Sequence, residues 1–323
     1  VSKPNAPVPV RLHKPVRLRE GSTVALVAPG SPISEDRIIK SLANLAALGL
    51  RVKEGEHWRS RNGYLAGDDA ARIADLHQAF TDPEVEAVWC ARGGYGCSRL
   101  LSMLDYELIR RHPKILIGYS DITALHLAIH QRTGLVTFHG PVAASDYPEN
   151  TLEHLKSVLF EARSPYTLSI PGSEETLPGE EFRPFVIAPG RAQGALMGGN
   201  LALLSALAGT PFAPSFKGKI AFIEDIGEQP YRLDRMLTQL LQATDLAKAA
   251  GIALGVFSDC QPKGDGPSLS LSETLHDRLG GLGIPVAYGF PFGHVAHQAT
   301  LPYGVSAAMD TTKGTLTLLE TGV

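Results

Sequence analysis

Ser120 lies in the segment GYSDI, Gly118 to Ile122, where the apolar run KILIG breaks off and a helical pattern begins. A serine at a sharp turn from a buried strand into a helix presents its hydroxyl at the carboxyl edge of a parallel sheet, where a nucleophile is useful. The same residue ahead of Asp-Ile-Thr is also a good helix N-cap, and the segment lacks the last glycine of G-x-S-x-G, so both readings stand. A nucleophilic serine needs a base and a group to orient it. Of the eleven histidines, His77, His126 and His130 fall on helix patterns and read as packing or solvated residues. His294 ends GFPFGH, a loop whose glycines and prolines fix the backbone, while His297 and His139 stay open as alternatives. The carboxylates Glu224, Asp225 and Glu228 follow the strand at 219–223. Glu224 continues that strand and is placed to hold an imidazole, whereas Asp225 and Glu228 serve equally well as caps or first-turn residues of the next helix. Arg92 to Gly96, RGGYG, offers backbone N–H groups to a phosphate or an oxyanion. It fits neither dinucleotide nor P-loop spacing, and a tight turn needing positive φ explains it too. With no HExxH or CxxC, and only His294-x-x-His297 at metal spacing, no metal or other cofactor is expected.

The elements that would carry these residues alternate between β-branched runs and helical patterns, the signature of a parallel sheet covered by helices. Strands are expected at 23–28, 51–54, 85–90 and 114–118, with helices at 35–48, 68–80 and 122–132; Ser34 can cap the first helix and Gly49 can end it. Residues 146–190 are rich in Pro, Glu and Ser and lack a long period, so they read as a linker, with edge strands at most. A second α/β region follows, with strands near 219–223, 252–257 and 285–288 and helices at 201–207 and 232–243. The chain thus divides into an extension (1–22), an α/β domain with the serine (23–145), the linker (146–190) and a β/α domain with Glu224 and His294 (191–323).

Composition narrows the class. The 323 residues suit about two domains. Thirty Lys and Arg against 33 Asp and Glu give −3, with no basic block, so a nucleic-acid partner is excluded and a small molecule is expected. No apolar run approaches the ~18 residues needed to span a bilayer. Three cysteines without CxxC pairing make no disulfide framework and fit a reducing compartment.

Taken in order, VALVAPGS (Val24 to Ser31), ARGGYG (Ala91 to Gly96), IGYSDIT (Ile117 to Thr123), GGN (Gly198 to Asn200), FIED (Phe222 to Asp225), GFPFGH (Gly289 to His294) and LPYG (Leu301 to Gly304) resemble the L,D-carboxypeptidase family of serine peptidases, the muramoyltetrapeptide carboxypeptidases. The resemblance implies a flavodoxin-like N-terminal domain, a swivelling β/α C-terminal domain, a homodimer and a cytoplasmic role in cell-wall peptide recycling. It implies Ser120 as nucleophile, His294 as base and acid, Glu224 as the group orienting the imidazole, an oxyanion hole from the N–H groups of Gly94 and Asp121, and Asn200 near the muropeptide substrate. Two other readings remain. A microcin C self-immunity type of peptidase would cleave aminoacyl-nucleotide analogues, with Tyr166, Phe182 or Phe185 stacking on the base. A two-lobed binding protein would hold an anion at the glycine turn without turnover.

Overall fold

The computed structural model describes residues 11–172, 179–264 and 266–323; the first ten residues of the expected 1–22 extension lie outside this set. The N-terminal half supplies β1 (Thr23–Val27), β2 (Arg51–Glu54), β3 (Ala87–Cys90), β4 (Ile115–Gly118) and β5 (Phe138–His139). β1, β3 and β4 are buried at every position, as strands covered on both faces must be. The helices joining them start and stop where local chemistry directs. The Asp68 side chain accepts from Ala71 N at 2.7 Å to open Asp69–Thr81, and Gly134, at φ +75°, closes Thr123–Thr133 in the left-handed region. Ser34 occupies the N-cap position of Glu35–Ala47 but makes no side-chain capping bond.

The C-terminal half supplies β6 (Tyr166–Ser169), β7 (Phe185–Ala188), β8 (Arg191–Asn200), β9 (Ile220–Ile226), β10 (Gly251–Ser258), β11 (Val286–Gly293), β12 (Leu301–Pro302), β13 (Ser306–Asp310) and β14 (Thr315–Leu318). Two sheets result, with orders β12-β5-β4-β3-β1-β2 and β6-β14-β13-β8-β9-β10-β11-β7. The first is parallel except where β12 meets β5, and its order reverses between β1 and β3. Ligand crevices in doubly wound sheets open at such a reversal, and here the segments leaving it contain Gly30, Ser31 and the RGGYG turn. In the second sheet β8 to β11 run parallel between antiparallel flanks.

The stretch expected as a linker is more ordered than its composition suggests. It contains the helix Glu149–Leu159, and its strands β6 and β7 form the two outer edges of the second sheet. β12 crosses back to pair Leu301 with His139, so the halves share a sheet. They also meet near the end of β8, at Gly198 and Gly199. A Cβ on Gly199 would lie 2.5 Å from the Thr123 side chain, and the Asn200 N–H donates to Thr123 Oγ1 at 3.1 Å. Only glycine admits this approach, which brings the second sheet against the helix that follows Ser120.

Candidate active site

Ser120 follows β4 at φ +64°. A non-glycine residue there carries strain of about 1–3 kcal/mol, tolerated where the surroundings impose it. Neither the 3-10 turn Ser120–Ile122 nor the helix Thr123–Thr133 has a side-chain cap, so the Ser120 hydroxyl is not spent as an N-cap. The glycine turn presses on this elbow. A Cβ on Gly93 would lie 2.9 Å from Ser120 Cβ and 3.2 Å from the Asp121 backbone nitrogen. Gly94, the next residue, is exposed at φ +100°, and Ser31 ties the turn down: its N–H donates to Gly93 O at 3.1 Å and its Oγ accepts from Tyr95 N at 3.0 Å.

The Asp121 side chain braces the glycine turn. Its buried Oδ2 accepts from Cys97 N at 2.9 Å, fixing the far end of the turn, and burial raises its pKa. Asp121→Ala removes that acceptor and strands a buried N–H. A loss of about 2 kcal/mol in urea unfolding is expected, against less than half that for Asp121→Asn, which keeps an acceptor oxygen.

The second half delivers the other two groups. β8 and β9 pair Asn200 with Glu224, so the carboxylate stands beside the contact between the halves. Glu224 is fully buried, and its Oε2 lies 2.8 Å from His294 Nδ1. Gly293 permits this pairing. It sits at φ +114°, and a Cβ there would lie 3.0 Å from Glu224 Cβ. Tyr119 packs edge-on against the imidazole, ring centres 4.8 Å apart. Burial alone would lower the His294 pKa, but the Glu224 charge and hydrogen bond raise it above the ordinary value. Burial alone would raise the Glu224 pKa, yet the His294 interaction lowers it. Each partner therefore favours the other's charge, and with Nδ1 on the carboxylate the free nitrogen of a neutral ring is Nε2.

His294, Ser120, Gly93 and Gly94 line one cavity of about 550 Å³, with Arg37, Arg92 and Tyr119 on its walls. The other candidates stand elsewhere. His139 is buried beneath Tyr119 with neither ring nitrogen hydrogen-bonded, and burial pushes it down to about 4, leaving it neutral. His297 is exposed and does not line the cavity. Asn200 does not line it either. Its Nδ2 donates to Asp225 Oδ1 at 2.9 Å, and its Oδ1 caps the helix Leu201–Leu207 through Leu203 N. Asp225 belongs to that same helix start, accepting from Ala202 N at 3.1 Å, and not to the first turn of Pro230–Ala243, whose N-cap is Gln229. Burial, then the Glu224 charge, pushes Asp225 up to about 7. Glu228 pairs with Arg232 at 3.4 Å. Tyr166, Phe182 and Phe185 are absent from the cavity wall; Phe185 stacks on Tyr288 instead. Among the described residues no group of three or more His, Cys, Asp or Glu is placed to hold a metal, and no helix is long and apolar enough to cross a membrane. Sequence reasoning did not single out Tyr119, Arg37 or Thr123, whose roles arise from contacts between distant segments.

The family model described as the LD-carboxypeptidase N-terminal domain matches residues 24–140, and that of the LD-carboxypeptidase C-terminal domain matches residues 193–309. The chain is 45% identical to the probable murein peptide carboxypeptidase of Bacillus subtilis, over 96% of this chain and 95% of that one. It is 38% identical to the murein tetrapeptide carboxypeptidase of Pseudomonas aeruginosa, over 89% and 92%. Among solved structures, the microcin C7 self-immunity protein MccF in complex with glutamyl sulfamoyl guanosine superposes with a TM-score of 0.85 at 25% identity, over 96% of this chain and 99% of that one. The muramoyltetrapeptide carboxypeptidase of Oxalobacter formigenes superposes with a TM-score of 0.77 at 31% identity, over 91% and 97%. The parallel sheets, the two-domain architecture and both family matches lead to one conclusion: the chain belongs to the LD-carboxypeptidase family of enzymes.

Proposed function

We propose that the chain is a serine-type L,D-carboxypeptidase that releases the terminal D-alanine of murein tetrapeptides. The observation that carries this is the opening of the strained Ser120 elbow and the Glu224-bound His294 into one cavity. Ser120 Oγ attacks the carbonyl carbon of the L-centre of the third residue while His294 Nε2 takes its proton. The negative oxygen of the tetrahedral intermediate accepts from the N–H groups of Gly94 and Asp121. His294 then gives its proton to the departing amine, the C–N bond breaks, and D-alanine leaves an acyl-enzyme. Water, deprotonated by His294, attacks the ester, and the tripeptide leaves as Ser120 regains its proton. Throughout, Glu224 holds the imidazole through Nδ1 and balances its positive charge, and Asn200 sets this ensemble from behind by fixing Asp225 and the start of the helix Leu201–Leu207.

This activity fits peptidoglycan recycling in a bacterial cytoplasm, with the three free, buried cysteines suited to a reducing compartment, and a homodimer as the working assembly. The names of the Bacillus and Pseudomonas relatives support the substrate class. The fold likeness to a protein whose structure is known in complex with glutamyl sulfamoyl guanosine supports a second substrate class for the same groups. One mass-spectrometric assay separates them. A tetrapeptide ending in D-alanine should lose one alanine, and the same peptide ending in L-alanine should persist. Hydrolysis of an aminoacyl sulfamoyl adenosine with the tetrapeptide untouched would overturn the murein reading.

A further inference from the structure

The cavity that holds Ser120 also contains two guanidinium groups without a carboxylate partner among the described residues. Arg92 opens the glycine turn. Its Nη1 donates to the Pro32 carbonyl at 2.9 Å, which fixes the plane of the group, while its buried Nε has no hydrogen-bond partner. Its Nη2 lies 3.4 Å from where a Cβ on Gly94 would stand, so the guanidinium sits against the glycine turn that lines the cavity with Ser120. Arg37, exposed on the helix Glu35–Ala47, faces the same cavity; burial, then the Arg37 charge, lowers the Arg92 pKa. The third cation on the wall, Lys40, is already paired with Asp146. The half-buried Arg92 and the exposed Arg37 thus bring two like charges to one cavity wall, with Asp36 on the same wall paired to neither, an arrangement that an anion would relieve.

We infer that Arg92, assisted by Arg37, binds the terminal carboxylate of the leaving amino acid and so restricts cleavage to the last residue of the chain. The inference rests on the peptidase reading above. The geometry suits it: in a peptide ending in alanine the carboxylate carbon is three bonds from the scissile carbonyl carbon, so its binder must stand beside the oxyanion donors, and Arg92 sits against the turn at Gly94. A planar guanidinium whose one nitrogen is already engaged presents its remaining N–H groups to a carboxylate in a fixed direction, which an ammonium does not. A bond within a longer chain places a neutral amide at this position and leaves the two charges unanswered. The arrangement therefore selects against internal cleavage without any steric block.

The test pairs two substrates, the murein tetrapeptide ending in D-alanine and the same peptide ending in D-alaninamide, with the wild type, Arg92→Gln, Arg92→Lys and Arg37→Gln. In the wild type kcat/KM for the acid should exceed that for the amide by about 10- to 100-fold, the range for charged hydrogen bonds. The ratio should fall below about 3 in Arg92→Gln, remain intermediate in Arg92→Lys, and drop at least threefold in Arg37→Gln. Arg37 is exposed, so its variant keeps the test alive if Arg92→Gln fails to fold. A wild-type ratio near 1, or a full ratio in both glutamine variants, would overturn the inference. Release from neither substrate by the wild type would remove the peptidase reading itself, and the carboxylate site with it.

Discussion

Ser120→Ala should lower kcat for D-alanine release by about 10⁵-fold or more while the protein stays folded. The size follows from the way a nucleophile, its base and the orienting carboxylate act as a unit, so that losing the serine alone forfeits nearly all their joint contribution. What survives is the oxyanion donors and substrate positioning, which an alanine does not touch. The fold should tolerate the change for two reasons visible in the structure. The serine Cβ that packs against Gly93 is retained, and the hydroxyl caps no helix. Stopped assays for D-alanine, read beside a thermal melt within a few degrees of the wild type, check both halves of the expectation. A variant that melts normally yet keeps more than about 1% of activity would remove Ser120 from the chemistry.

Glu224→Gln should lower kcat by about 10²- to 10⁴-fold and also move the pH dependence. The direction is fixed by the pair. His294 accepts a proton only when neutral, and the Glu224 charge holds its pKa above the ordinary 6.5, so kcat/KM should rise with pH through a midpoint above 6.5. An amide cannot supply that charge, and the burial that remains works in the opposite sense, so the midpoint should fall in the variant. Asp225 titrates in the same window, pushed up to about 7, and the observed limb belongs to the coupled group. Asp225→Asn isolates the His294 contribution. Stability carries its own signature. The raised His294 pKa contributes fully below about 6.5 and its contribution is lost as pH rises through the folded value, whereas the lowered Glu224 pKa contributes above about 4.5 and is lost as pH falls. The pair therefore stabilises most between those limits.

Much of this site was legible in the sequence because single segments announce their own turns. KILIG ahead of GYSDI marks a buried strand stopping at a serine, and GFPFGH marks a histidine on a constrained loop. What stayed hidden depends on residues meeting across the chain. Asp225 looked like a cap for the helix after it, but the parallel register of β8 and β9 sets it beside Asn200 and the start of an earlier helix. His139 ends a strand as a catalytic histidine would, and only its enclosure by Tyr119, Phe222 and Phe292 shows it sealed below the cavity. The polar, proline-rich composition of residues 146–190 left room for the edge strands β6 and β7 but concealed the helix Glu149–Leu159, whose buried residues include the polar Thr151 and Ser157. Arg92 read as part of a turn, and its charge without a carboxylate partner appears only once the fold brings it into one cavity with Arg37 and Lys40.

Labelling by a fluorophosphonate built on the tripeptide acyl group tests the central claim most directly, since phosphorus is attacked by an activated serine and the adduct persists. Peptide mapping should place one adduct per chain on Ser120, with D-alanine release falling in proportion to labelling, and His294→Ala should remain unlabelled on the same timescale. An adduct on another residue, or full turnover by a protein completely modified at Ser120, would contradict the account.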